Sequence, residues 1–157
     1  MPFLSGEFEC KLDPKSRMML PSGFKKKLPE IESEGFVINR GSGPRKFLQL
    51  YTAKDWEKKL EVLDKLNQYD EDNITVIRYF MNGATEFMPD ALGRIVLPKF
   101  LREHAGIESD IIIVLLVNRI EIWSAEEYAE MRRNDSGNMS AKISKVLGGN
   151  AGRVSND

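Results

Sequence analysis

Asp13 and Arg17 lie four residues apart in "DPKSRMMLP" (13–21), and Asp90 and Arg94 repeat that frame in "DALGRIVLP" (90–98). A carboxylate and a guanidinium at this spacing can do two things. Across a tight turn they pair and order a hairpin. The Arg fork can also offer its planar donors to guanine edges or phosphates. The two uses are compatible, because a carboxylate on one side of the guanidinium fixes how the rest is presented. Taken from the residues alone, the ion pair is the favoured use. Lys11 and Lys15 accompany Arg17, whereas Ala91 and Leu92 stand beside Arg94, so the two frames are not equivalent.

Other chemistries find little support. One cysteine, Cys10, and one histidine, His104, cannot build a His/Cys metal site or a disulfide within the chain. No nucleophile–base signature appears, so an enzyme built on the paired aspartates is not expected. No cofactor is implied. The net charge of −1 argues neither for nor against a polyanion. Its distribution is uneven, however. Residues 1–29 carry Lys11, Lys15, Arg17, Lys25, Lys26 and Lys27, while residues 61–72 are acidic. A nucleic-acid face should therefore come from the first stretch, multiplied by oligomerisation if a single patch is weak. The N-terminus has no signal-peptide pattern, and the apolar run "IIIVLLV" (111–117) is too short to span a bilayer. The expectation is a cytoplasmic protein without membrane or metal partners.

The elements around each frame repeat as well. "EFECKLD" (7–13) alternates Phe8, Cys10 and Leu12 with charged residues, the pattern of a half-buried strand. "DPKS" is a turn, and "RMML" returns as a strand ended by Pro21. "FVINR" (36–40) matches "VLLVNR" (114–119), and "LQLYTAKDW" (48–56) matches "IEIWSAEEY" (120–128). The extra residues of the first copy fall in the Gly- and Pro-containing "GSGPRKF" (41–47), where insertions belong. Ala53, Trp56, Leu60 and Leu63 form a helical stripe behind an N-cap at Thr52, and Ser124 with Glu127 offers a capping box. In "DEDNITVIRYFMNGA" (70–84), β-branched residues favour a strand, while Ile74, Ile77 and Met81 before Gly83 fit a helix. Periodicity does not separate the two.

The sequence closely resembles the MraZ family of bacterial transcriptional regulators. The resemblance is carried by both Asp-x-x-x-Arg frames, "GEFECKLDPKSR", "YFMNGATEF" (79–87), "GRIVLP", "REHAG" (102–106) and "NRIEIWSAEEY" (118–128), and runs over roughly residues 1–133. It implies two tandem copies related to the AbrB and MazE swapped-hairpin DNA-binding proteins. In those relatives two chains close one barrel; here one chain carries both copies. The implied fold is α+β, a pseudo-symmetric swapped-hairpin (double-split) β-barrel with flanking helices. Its parts are a first repeat at 1–69, a helical linker at 70–84 and a second repeat at 85–133; beyond them 134–157, rich in Asn, Ser, Gly and Lys and poor in large apolar groups, reads from its composition as a polar, mobile tail.

The implied function is sequence-specific binding of spaced G-rich direct repeats in double-stranded DNA by a homo-oligomeric ring. The implied target is the division and cell-wall gene cluster that includes the protein's own operon, and the implied location is the cytoplasm, on the nucleoid. Lys15, Arg17 and Lys11 are the expected DNA contacts, with Arg94 a weaker one, and Asp13 and Asp90 order the turns. A rival reading is an antitoxin-like or scaffold oligomer that binds protein only, favoured by Leu92 on the second turn. One departure from the family pattern stands out: Ser16 precedes the first Arg, where Gly93 precedes the second. If that position needs φ > 0, Ser16 is strained.

Overall fold

A computed structural model describes residues 3–148. Along the chain run β1 (Leu4–Lys11), β2 (Arg17–Met19), α1 (Ser22–Lys27), α2 (Glu30–Glu34), β3 (Phe36–Arg40), β4 (Leu48–Thr52), α3 (Ala53–Asp64) and α4 (Glu71–Gly83). There follow β5 (Thr85–Phe87), β6 (Arg94–Val96), α5 (Lys99–Ala105), β7 (Asp110–Val117), β8 (Arg119–Ser124), α6 (Ala125–Asp135), α7 (Met139–Ile143) and a π-helical turn, Ser144–Gly148. The described residues fall into two compact units that divide between Glu127 and Tyr128.

The first unit is α+β. Six strands form an antiparallel sheet in the order β1-β7-β8-β4-β3-β5, and β2 pairs with β6 in a separate ribbon. Strands β1 to β4 of the first copy correspond to β5 to β8 of the second. β1 pairs with β7 and β5 with β3, so the first strand of each copy pairs with the third strand of the other copy, at opposite ends of the sheet. β4 pairs with β8, and β2 with β6, each with its own counterpart. Read from either end, the sheet gives the same succession of equivalent strands.

Alternation explains these pairings. On β1, Phe8 and Cys10 lie opposite Ile113 and Ile111 and pack on the core, while Glu7, Glu9 and Lys11 stay exposed. Burial pushes the Cys10 thiol up to about 12, which fits a packing residue. β7, the "IIIVLLV" strand, is flanked by β1 and β8, so both of its edges are hydrogen-bonded. Ile111, Ile113 and Leu115 share the face that joins the core, and Val114 is buried on the other face.

The helices follow their caps. Thr52 accepts a hydrogen bond from the Asp55 N–H at 3.2 Å, and Ser124 Oγ from the Glu127 N–H at 3.0 Å. Trp56 and Leu63 bury the face of α3, and Trp56 meets Tyr51 edge-on at 5.2 Å. Trp123 stacks on Phe47 at 5.0 Å. Tyr51 and Tyr128 are only half-buried, whereas Trp56 and Trp123 are buried.

The 70–84 segment is a helix, with Asp70 capping its N-terminus through Asn73 N–H at 3.0 Å. Its C-terminal end is held by β3: Asn39 Nδ2 donates to Phe80 O at 2.9 Å and Arg40 Nη2 to Tyr79 O at 2.8 Å. Gly83 permits this approach, since a Cβ there would lie 2.2 Å from Asn39 Oδ1.

In the second unit, Arg132 lies over the Tyr128 ring at 5.8 Å, and Met139, Ile143, Val146 and Leu147 are exposed. Of the stretch read as a mobile tail, residues 149–157 lie outside the described residues. Among the described residues no helix is long and apolar enough to cross a membrane.

Candidate nucleic-acid interface

The first Asp–Arg frame builds a three-residue hairpin loop. Asp13 N–H donates to Arg17 O at 2.9 Å, and Ser16 N–H to Asp13 O at 2.9 Å. Such a loop is a type I turn closed by a left-handed residue, usually Gly. Here Ser16 takes that place with φ 61°. The Asp13 carboxylate completes the turn: Oδ1 accepts from Lys15 N–H at 2.8 Å and Arg17 N–H at 2.9 Å. Its Oδ2 accepts from Arg17 Nε at 2.6 Å.

The second frame repeats this bond for bond. Asp90 Oδ1 accepts from Leu92 N–H and Arg94 N–H, and Oδ2 from Arg94 Nε, each at 2.9 Å. Gly93 holds the left-handed place with φ 77°. In both turns the hydrogen bond from the Arg backbone N–H, with the further bonds from that Arg, holds the aspartate below the usual carboxylate range. Both carboxylates therefore stay charged at neutral pH. Each Arg commits Nε to its aspartate, and among the described residues its two terminal nitrogens make no further hydrogen bond.

The two turns are joined through the ribbon. Arg17 lies opposite Val96, Met18 opposite Ile95, and Met19 opposite Arg94. The left-handed residues extend it: Leu97 N–H donates to Ser16 O at 2.9 Å, and Leu20 N–H to Gly93 O at 3.1 Å. Side chains alternate across a strand, and directly opposed residues share a face. Met18, Leu20, Ile95 and Leu97 point inward and are almost wholly buried. Arg17, Met19, Arg94 and Val96 therefore share the outward face. The diagonal between the two Arg positions is roughly 7–8 Å.

Met19 and Val96 were absent from the sequence-based site. The alternation running from Arg17 to Leu20, and from Arg94 to Leu97, held the signal; that both strands face the same way required the pairing. Lys15 is exposed on the first turn. Lys11, at the end of β1, lies 3.7 Å from Asp110, its partner on β7, an exposed pair that leaves its charge largely available. Lys25 reaches the second turn: a Cβ on Gly93 would lie 2.9 Å from its Nζ, which also pairs with Glu32 at 3.2 Å. The cation beside Ala91 and Leu92 thus comes from the other copy, which that turn's own residues do not reveal. Lys27 Nζ donates to Ser5 O at 3.0 Å. Leu92 is 61% exposed at the tip. Among the described residues no group of His, Cys, Asp and Glu could hold a metal ion.

A family model described as "MraZ protein, putative antitoxin-like" matches residues 3–78 and again 80–147. The chain belongs to the MraZ family. A transcriptional regulator MraZ of Cytophaga hutchinsonii is 35% identical over 147 residues, covering 94% of this chain and 96% of the relative. That of Symbiobacterium thermophilum is 36% identical, covering 91% and 99%. That of Christiangramia forsetii is 34% identical, covering 92% and 93%. MraZ proteins are transcriptional regulators, a non-enzymatic family, and this MraZ chain carries both tandem repeats of it.

Proposed function

We propose that this chain regulates transcription by binding double-stranded DNA through the β2–β6 ribbon. The observation that carries the reading is that Arg17 and Arg94 share one outward face, each with Nε held by an aspartate and its terminal nitrogens open. A two-stranded ribbon fits the major groove, about 12 Å wide, where an Arg fork reads guanine O6 and N7. Lys15 and Lys11 supply phosphate contacts beside Arg17. Asp13 and Asp90 act by ordering the turns.

The pairing of strands between copies supports closure of the sheet and ribbon as a swapped-hairpin barrel, with 1–69 and 85–133 as the copies and 70–84 as the link. One ribbon offers a single small basic patch, so assembly into a ring would multiply the contacts. Subunits facing one way would read direct repeats spaced about one helical turn, 10–10.5 bp, apart. The resemblance points to G-rich repeats upstream of the protein's own operon in the division and cell-wall cluster, and hence to the cytoplasmic nucleoid. No cofactor is required.

Footprinting on the DNA upstream of its own gene tests this reading. Protected, regularly spaced G-rich patches are expected; uniform cleavage overturns it. The exposed Leu92 tip favours a second reading, an antitoxin-like or scaffold oligomer that binds protein. Retention on heparin and on random duplex DNA that falls steeply with salt separates the first from the second.

A further inference from the structure

The outward face of the ribbon is not uniformly charged. Met19 is 46% exposed and Val96 59%. Each lies directly opposite an arginine: Met19 beside Arg94, Val96 beside Arg17. The four side chains make a two-by-two checkerboard, apolar and cationic positions alternating in both directions. Its backbone is fixed from behind, because Met18 and Ile95, the residues between them, are 0% and 4% exposed.

Resting on the reading of this ribbon as a major-groove element, we propose that Met19 and Val96 are specificity-determining residues that contact thymine methyl groups. The chemistry of the groove supplies the match. Guanine offers O6 and N7 to an Arg fork, and thymine offers its C5-methyl as the apolar feature of the same groove. Neighbouring outward positions lie about 4.5–5.5 Å apart across the strands, so an arginine and its apolar partner face adjoining bases together. Val96 is stiff at χ1 and presents its methyls in one geometry. Met19 is unbranched and adapts its contact. The ribbon then reads a mixture of guanine and thymine, and a site with the right guanines but no thymine methyls beside them binds less well.

The test uses the full chain and two duplexes copied from the DNA upstream of its own gene, one made with thymine and one with uracil throughout. Uracil pairs alike but lacks the methyl. Wild type is expected to bind the uracil duplex about fourfold more weakly for each thymine methyl that Met19 or Val96 touches. The Met19→Ala, Val96→Ala double variant should bind the thymine duplex more weakly and no longer distinguish the two. A Met19→Leu, Val96→Ile variant keeps apolar area on the face and should retain a preference for thymine, which separates removal of the methyl contacts from a failure to fold. Equal affinity of wild type for both duplexes overturns the proposal. So does a double alanine variant that keeps the wild-type ratio, since the methyl effect then arises elsewhere. Failure of wild type to bind either duplex would instead overturn the reading of the ribbon as a DNA site.

Discussion

The carbonyl of Ser16 accepts a hydrogen bond from the backbone N–H of Leu97 at 2.9 Å. The first turn is thereby tied to the second copy, just as Gly93 O is tied to Leu20 N–H at 3.1 Å. Both carbonyls point across because both residues are left-handed, with φ 61° at Ser16 and 77° at Gly93. Gly adopts that region freely; Ser does not.

Ser16→Gly should therefore stabilise the protein. The relieved backbone strain exceeds the extra flexibility that Gly brings to the unfolded chain, leaving a gain of about 0.5–1 kcal/mol. Gly93→Ser should lose a similar or larger amount, since its Cβ would also press on Lys25. Urea denaturation of both variants checks the pair. A destabilised Ser16→Gly would mean that the Ser16 side chain contributes something its backbone strain conceals.

Arg17→Ala should abolish most DNA binding and leave the melting temperature close to wild type, because a half-exposed side chain on a turn carries little of the core. Lys15→Ala, which removes a phosphate contact instead, should lower the slope of log affinity against log salt by about 0.9 for each phosphate no longer neutralised. Arg17→Lys should not restore binding, because a point charge lacks the fork. Fluorescence anisotropy at several salt concentrations reads both effects, and wild-type affinity in Arg17→Ala would refute the assignment.

Asp13 predicts a pH signature. Its folded-state pKa lies below the ordinary 3.8, chiefly through the Arg17 backbone N–H. A lowered pKa means that the carboxylate stabilises the fold at pH above 3.8, and that this contribution is lost as pH falls through the folded value. Asp13→Asn should be less stable than wild type at pH 7, and the gap should narrow as the solution becomes more acid than the usual carboxylate range. Urea midpoints for the two proteins from neutral pH down into that acid range measure it. A gap that stays constant throughout would show that the charge of Asp13 is not what stabilises the turn.

Gly83→Ala tests how α4 is seated. The added Cβ would lie 2.2 Å from Asn39 Oδ1 and 2.8 Å from Arg40 Nε. The helix end must withdraw, and the bonds to Phe80 O and Tyr79 O weaken. A loss of about 1–3 kcal/mol is expected, against the small gain Ala would bring in an open helix. Faster amide exchange confined to 74–83 would be the local readout; unchanged stability would mean that α4 tolerates a looser seat.

Local chemistry was enough for part of this site. Asp13 and Arg17 meet because four residues across a tight turn leave them little choice, and the same holds for Asp90 and Arg94. The duplication was legible, since each copy repeats its frame, its later strands and its capped helix. So was α3, whose stripe ends in the buried Trp56 and Leu63. For the 70–84 segment, expected as a helical linker, periodicity alone left helix and strand open, because β-branched residues compete there with a helical stripe. Its seat on Asn39 and Arg40, distant in sequence, goes with the helix.

What sequence determined by itself was each turn, each strand's inward and outward faces, and the identity of the two arginines. Tertiary structure decided which strand met which. β2 pairs with β6 rather than with a neighbour in sequence, and that pairing alone puts Arg17, Arg94, Met19 and Val96 on one face. It also brings Lys25 of the first copy to the turn of the second. The physical reason is one of range. Turn geometry and side-chain alternation arise from torsions and hydrogen bonds among a few adjacent residues. The partner of a strand is chosen by which long-range burial leaves the fewest apolar groups and backbone amides unmatched, and that is a property of the whole chain.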